Sequence, residues 1–189
     1  MALLLNVHIW GWRGLGVEWG RVGHVMIANP SSNVSLLSQF PHGLGQPSVP
    51  KGPNICLSFT DTYKAEDDSM PDAIFEISIQ DQFLVAFQAM RENHLARPIW
   101  DWDPTAPTQT HCARSAYDSL RAGGIAIDPD GAWVIADGET CEILPNTLWY
   151  LLEQVGAKVV RMTQQNLKFE TLRQNELAVS LARREKLWE

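Results

Sequence analysis

Residues 108–124 read TQTHCARSAYDSLRAGG, and this stretch decides the predicted fold. Thr110 is a good N-cap residue, so a helix is predicted over 110–122. The pair Gly123–Gly124 forms its C-terminal stop, because glycine readily adopts the backbone conformation that ends a helix. The stretch therefore predicts a helix that carries Cys112 in its first turn.

The position of Cys112 at a helix start has chemical consequences. Unpaired N–H groups and the positive end of the helix dipole favour a thiolate there, and the thiolate is the nucleophilic form of cysteine. The same N–H groups can stabilise an oxyanion. Cys112 is thus a candidate nucleophile, and the alternative is a small buried core residue.

A nucleophilic thiol needs a base, and His24 is the candidate. It lies in the segment VGHVMIA, residues 22–28, which is predicted to be a short apolar strand containing one imidazole. The alternative is a core histidine with its hydrogen bonds satisfied. His111 adjoins Cys112, but neighbours on a helix point about 100° apart, so it suits this role poorly. The remaining histidines, for which no supporting pattern exists, are His8, His42 and His94.

A third polar group is expected to orient the imidazole of His24 and to fix its tautomer. The strand predicted over 34–40 offers Ser35, Ser38 and Gln39. Because side chains alternate across a strand, Ser38 and Gln39 cannot both face the site. We favour Ser38, while Gln39 and a solvated strand face stay open as alternatives.

The rest of the chain alternates between apolar runs and turn-rich connections, with strands leading and helices following. This order predicts an α+β fold. The predicted strands are 3–10, 22–28, 34–40, 55–59 and 73–79, with an edge strand over 157–162. The predicted helices are 81–95, 110–122, 145–155 and a long polar helix over 164–188. The acidic segment 61–72 is predicted to be a connection.

Composition limits the function classes. The formal net charge of −7 argues against a nucleic-acid binder and against an anionic membrane surface as partner. Three widely spaced cysteines, of which Cys56 and Cys141 are expected to be bystanders, suggest neither a disulfide framework nor a zinc site, so no cofactor and no metal is predicted. The N-terminal apolar run is too short for a membrane span and lacks the marks of a secretory signal.

Several motifs in this order resemble those of circularly permuted NlpC/P60 enzymes, which are papain-like cysteine hydrolases, and in particular the versions among type VI secretion effectors. The motifs are GHV at 23–25, LSQFP at 37–41, Tyr63 with Pro-Asp at 71–72, HCARS at 111–115, RAGG at 121–124 and LPNTL at 144–148. The resemblance implies an antiparallel sheet packed against helices, with the nucleophile at Cys112, the histidine at His24 and the polar residue near Ser38. It implies a catalytic domain over 1–156 and a C-terminal extension over 157–189.

The function that the resemblance implies is thiol hydrolysis of amide bonds in peptidoglycan peptides by a secreted antibacterial effector. Such a protein is made in the cytoplasm without a Sec signal and acts in a target-cell periplasm or a host cell. Its further partners are a secretion apparatus or an immunity protein.

Two alternatives differ in target or in activity. The first keeps the thiol chemistry but changes the reaction. The protein would then be a hydrolase of lipid or acyl esters, an acyltransferase or a protein deamidase. This alternative is favoured by tryptophans that lie near both candidate residues in the sequence. They could line an apolar cleft, or they could belong to the core. They are Trp10, Trp12, Trp19, Trp100 and Trp102. The second alternative is a catalytically inactive binding module.

Overall fold

The fold is α+β, as predicted, and is built on one antiparallel sheet. The computed structural model describes residues 2–11, 23–40, 48–49, 54–66, 68–96, 100–101, 111–127, 143 and 145–162. Within these ranges, the main sheet has six strands in the order β5-β3-β2-β1-β6-β8. They are β1 (Ala2–Trp10), β2 (His24–Ala28), β3 (Ser35–Phe40), β5 (Asn54–Ile55), β6 (Ala73–Gln80) and β8 (Lys158–Met162). Two short strands, β4 (Ser48–Val49) and β7 (Trp100–Asp101), pair separately.

Four α-helices connect or flank the strands in the described ranges. They are α1 (Phe59–Ala65), α2 (Leu84–Leu95), α3 (Cys112–Ala122) and α4 (Pro145–Gln154). A short 3-10 turn, Asp81–Phe83, leads into α2. None of the helices in the described part of the chain is long and apolar enough to span a bilayer. The helix predicted over 164–188 lies outside the described residues.

Helix α1 was not predicted, because the prediction placed a strand over 55–59 and a connection over 61–72. The strand β5 instead ends at Ile55, and the helix begins at Phe59. Its N-cap is Ser58, whose hydroxyl accepts a hydrogen bond from the Asp61 backbone N–H at 3.0 Å. A serine followed three residues later by an acidic residue is a helix-start pattern, and it was the available signal for α1.

The two faces of the sheet are covered by different elements. On the helix-bundle face, alternate residues such as Val7, Ile9 and Val25 join the main core, to which α2, α3 and α4 contribute. On the α1 face, Trp10 and Met26 belong to a second, smaller cluster against which Phe59 of α1 packs. This division follows from the alternation of side chains along each strand.

The hairpin of β2 and β3 contains a β-bulge. Met26 pairs with Ser38 and Ile27 with Leu37, but Ala28 pairs with Ser35, so the register shifts at the turn end of the hairpin. A bulge inserts one extra residue into one strand of a pair. The pairing on the Ser38 side of the bulge remains regular.

The strand β8, which sequence analysis assigned to the C-terminal extension, forms the edge of the main sheet. It pairs with β6 from Ala73↔Met162 to Glu76↔Lys158, and Lys158 Nζ lies 2.7 Å from the Glu76 carboxylate. The edge strand predicted over 157–162 is therefore present as Lys158–Met162.

Candidate active site

His24 is the first residue of β2 and lies on the α1 face of the sheet. Gly23 precedes it with φ of 74°, a left-handed backbone conformation that favours glycine. The His24 side chain is 1% exposed. Its ring stacks on Phe40 with centroids 3.9 Å apart, and the Trp10 ring lies tilted at 5.8 Å. Aromatic side chains thus hold the imidazole in place on two sides.

Ser38 is the direct partner of the His24 ring. Its hydroxyl oxygen lies 2.9 Å from His24 Nε2, and both side chains are buried. The contact follows from the hairpin register, in which Ser38 stands opposite Met26, two residues along β2 from His24. The structure therefore brings together the candidate base and the favoured third group.

Gln39 lies on the opposite face of the sheet from Ser38. Its side-chain oxygen accepts a hydrogen bond from the Ser115 hydroxyl at 2.7 Å, and its amide nitrogen donates to the His94 carbonyl at 3.1 Å. These contacts join β3 to α3 and α2. Gln39 is consequently an anchor for the helices and is directed away from the His24 ring.

Cys112 is the first residue of α3. The N-cap of this helix was predicted to be Thr110, but in the structure it is His111. The His111 ring accepts a hydrogen bond from the Arg114 backbone N–H at 3.3 Å through Nδ1, which makes an imidazole the capping group. Thr110 itself lies outside the described residues. The cap places Cys112 at the first helical position, where it is 3% exposed.

Burial dominates the electrostatics of the Cys112 thiol. Removal from water raises its pKa to about 12, and the Glu66 carboxylate adds to this increase. Backbone hydrogen bonding from Val25, Ala113 and Cys112 itself acts in the other direction. The predicted effect of the helix start is therefore present, but burial outweighs it, and the group is a thiol at neutral pH.

His24 lies on the α1 face of the sheet, whereas Cys112 begins α3, which packs on the helix-bundle face, and the two side chains do not bond each other. The backbone of Val25, the residue after His24, faces the Cys112 sulfur. Burial alone lowers the pKa of His24 to about 3, so its ring is neutral. Among the described residues, no hydrogen bond joins the sulfur to the imidazole. Both groups are therefore uncharged at neutral pH, Cys112 as the thiol and His24 as the neutral imidazole.

The other histidines and cysteines have separate surroundings. His94 Nε2 lies 3.1 Å from Asp118 Oδ2 on the helix-bundle face, and His8 contacts Phe59 with ring centroids 5.3 Å apart. Cys56 is a partly buried free thiol. Of the remaining candidates, His42, Cys141, Trp12, Trp19 and Trp102 lie outside the described residues. The described ranges contain no cluster of three metal-ligating side chains.

Thr62 is a polar neighbour of the site that sequence analysis did not identify. It is fully buried in α1, and its hydroxyl lies 2.9 Å from that of Ser38. Thr62 can be identified as a neighbour of the site only if residues 59–65 are known to form a helix, because the helix places Thr62 one turn after Ser58. The cap pattern at Ser58 was the usable signal.

The buried histidines predict a loss of stability in mild acid. His24 and His8 have folded-state pKa values of about 3 and about 4, lowered by burial from 6.5. Below pH 6.5 the histidines bind protons in the unfolded chain but not in the native state. The free energy of unfolding therefore decreases as the pH is lowered. Between pH 7 and pH 5 we expect a loss of about 2 kcal/mol for each histidine.

Urea unfolding at half-unit pH steps measures this loss. The variant His8→Phe keeps an aromatic ring beside Phe59 and removes one of these groups, so its loss between pH 7 and pH 5 is expected to be smaller than that of the wild type by about 2 kcal/mol. Equal free energies of unfolding at pH 7 and pH 5 in the wild type would show that these rings titrate normally.

Neither a family model nor a curated protein nor a solved structure matches this chain.

Proposed function

We propose that this protein is a papain-like thiol hydrolase of the permuted NlpC/P60 type, with Cys112 as nucleophile and His24 as general base. One observation carries the proposal: the buried His24–Ser38 pair stands at the end of β2, and the backbone of the next residue, Val25, faces the Cys112 sulfur. A base, a group that orients it and a helix-start thiol are the parts that thiol catalysis uses.

The neutral state of both groups fits a mechanism in which the proton moves during attack. Nε2 of His24 is engaged by Ser38, which leaves Nδ1 as the nitrogen that can accept a proton. Hydrogen bonds of catalytic groups are often long in the free enzyme and tighten when substrate binds. We therefore propose that substrate binding brings the Cys112 sulfur and Nδ1 of His24 into contact.

The reaction then takes three steps. The proton of the Cys112 thiol passes to Nδ1 of His24 as the sulfur attacks the carbonyl carbon of an amide. The C–N bond breaks, the His24 imidazolium gives its proton to the leaving amine, and a thioester on Cys112 remains. Water attacks the thioester while His24 takes its proton, and the C–S bond breaks to release the acid and restore the thiol.

The start of α3 supplies stabilisation for the negative oxygen that forms during attack. The backbone N–H groups of Cys112 and Ala113 both face the sulfur. Donors fixed before the reaction stabilise the developing charge without reorganising, which makes them the largest single contribution in many acyl-transfer enzymes. The proposed oxyanion donors are these two groups.

For the substrate we propose amide bonds in peptidoglycan peptides, with the protein acting as a secreted antibacterial effector. The sequence resemblance to the effector versions of permuted NlpC/P60 enzymes supports this choice. Purified protein incubated with peptidoglycan, followed by mass spectrometry of the soluble fragments, tests it. We expect new free amino and carboxyl ends with the wild type and unchanged wall material with Cys112→Ala.

The same experiment includes a second substrate arm, because aromatic rings surround the His24 ring. Phe40 and Trp10 lie against it and Phe59 packs on the cluster that contains Trp10, which suits an apolar acyl chain. Turnover of acyl esters with unchanged wall fragments would redirect the proposal to ester hydrolysis or acyl transfer. Turnover of peptidoglycan alone supports the amide target.

A binding module without catalysis is the second candidate, and the burial of Cys112 favours it. A thiol that is 3% exposed with a pKa of about 12 is a poor nucleophile in the resting state. Intact-mass analysis after incubation with peptidoglycan fragments and with acyl esters separates the two candidates. An acyl adduct on Cys112 supports the hydrolase, whereas the absence of adduct and of turnover with every substrate supports the binding module.

A further inference from the structure

A chain of hydrogen bonds leads from the His24 ring across the α1 face to a backbone carbonyl. His24 Nε2 lies 2.9 Å from the Ser38 hydroxyl, which lies 2.9 Å from the Thr62 hydroxyl. The Thr62 hydroxyl in turn lies 3.1 Å from the carbonyl oxygen of Ser58, one helical turn earlier. The ring and both hydroxyl-bearing side chains are at most 1% exposed, so water does not compete for these bonds.

The Ser58 carbonyl at the end of this chain favours one direction for every hydrogen in it. A carbonyl oxygen can only accept, and a hydroxyl has one hydrogen to donate. If Thr62 donates to Ser58 and the Ser38 hydroxyl donates to Thr62, all three contacts are hydrogen bonds, whereas donation from Thr62 to Ser38 would forfeit the contact with Ser58. In the first arrangement the Ser38 oxygen has given its only hydrogen and accepts from the ring, which carries its proton on Nε2.

Among the described residues, the Cys56 sulfur is a further acceptor for the Thr62 hydrogen, beside the oxygens of Ser58 and Ser38. The sulfur is hydrogen-bonded to the Thr62 side chain, but burial and the Asp61 carboxylate raise the pKa of Cys56, so it stays a thiol. A thiol sulfur is a weak acceptor compared with a carbonyl oxygen. The hydrogen of Thr62 therefore remains with Ser58.

We infer that Thr62 is a positioning residue that fixes the tautomer of His24 with the proton on Nε2 and with Nδ1 bare. The inference rests on the proposed function for its catalytic meaning, because a bare Nδ1 is the form that can take the proton of Cys112. Without Thr62, the Ser38 hydroxyl is free to donate to Nε2, and the tautomer with the proton on Nδ1 becomes populated. That tautomer cannot act as a base toward the thiol.

Nitrogen-15 NMR of the full chain tests this directly, since a protonated and a bare ring nitrogen differ widely in chemical shift. The His24 signals are assigned by their absence in His24→Asn. We expect one tautomer with Nε2–H in the wild type and in Thr62→Ser, and a mixture with a substantial Nδ1–H population in Thr62→Val. Thr60→Val is the matched control, because Thr60 lies on the same helix but bonds Asn33 at the surface.

Kinetics give the second readout. On the substrate that is turned over, Thr62→Val is expected to lower kcat on the order of 10-fold with KM unchanged, and Thr62→Ser is expected to restore it. An Nδ1–H tautomer in the wild type, or a pure Nε2–H tautomer in folded Thr62→Val, would overturn the inference. If Thr62→Val does not fold, the wild-type tautomer and Ser38→Ala decide the question in the same way. The NMR result needs no turnover. A protein with the expected tautomer but no activity would therefore refute the proposed function and leave the inference about the tautomer standing.

Discussion

Replacing Cys112 with alanine is expected to lower kcat/KM for hydrolysis by at least about 10³-fold while the protein remains folded. In the proposed reaction the sulfur is the atom that forms the covalent intermediate. Alanine keeps the first helical position, so the fold loses only the buried sulfur, at a cost of about 1 kcal/mol. The measurement compares initial rates on the turned-over substrate with thermal unfolding of the same samples.

The matched control is Cys141→Ala, which removes a thiol expected to be a bystander and should keep wild-type rates. Cys112→Ser adds a further comparison. It replaces the thiol with a hydroxyl of similar size, which is a much weaker nucleophile. Its rate is expected to fall nearly as far as that of the alanine variant. Wild-type turnover by a folded Cys112→Ala protein would exclude thiol catalysis at this position.

Replacing His24 with glutamine is expected to reduce kcat by about 10²- to 10⁴-fold, the contribution typical of a general base. Glutamine can still bond the Ser38 hydroxyl, but it cannot take the proton of Cys112. In the native protein the pKa of His24 is lowered to about 3, so the ring is neutral but a weak base until substrate binding changes its surroundings in the proposed reaction. The wild-type ring is thus unprotonated throughout the neutral range.

Measuring kcat from pH 6 to pH 10 checks this assignment more sharply than a single rate. A residual rate in His24→Gln that rises with hydroxide concentration is expected, because solvent must then remove the thiol proton. His8→Phe, on the same face of the sheet, is the control and should retain the rate of the wild type. Equal loss in both variants would point to disruption of the α1 face and against a specific role for His24.

Much of the fold followed from local patterns. Apolar runs predicted the long strands, and the glycine pair after Ala122 predicted the end of α3. The contact of Ser38 with His24 was foreseeable in part, because the turn at 29–33 makes neighbours of β2 and β3, while alternation separates Ser38 from Gln39. The sequence could not choose between these two residues, since the choice depends on register.

Two features of the site depend on tertiary structure and could not be predicted. Thr62 approaches Ser38 only because α1 covers that face of the sheet, and α1 lies in a segment that lacks a clear apolar period. The pKa of Cys112 depends on how much of the chain excludes water from the sulfur. A helix start favours the thiolate, but its effect is smaller than the cost of burying a charge.

The bulge at Ile27/Ala28 divides the β2–β3 hairpin into a turn side and a side that contains the Met26–Ser38 pair. The two sides differ in how well they tolerate a change of length. On its turn side, residues can be added or lost during evolution without moving Ser38 relative to Met26, because the irregular pairing absorbs the change. On its other side, removal of a single residue would rotate Ser38 to the opposite face and present Gln39 to the imidazole. Epitope tags or grafted peptides therefore belong at the exposed tip 30–32 of the turn, ahead of Asn33, which bonds Thr60 of α1, and the stretch from Leu37 to Phe40 should tolerate substitution far better than deletion.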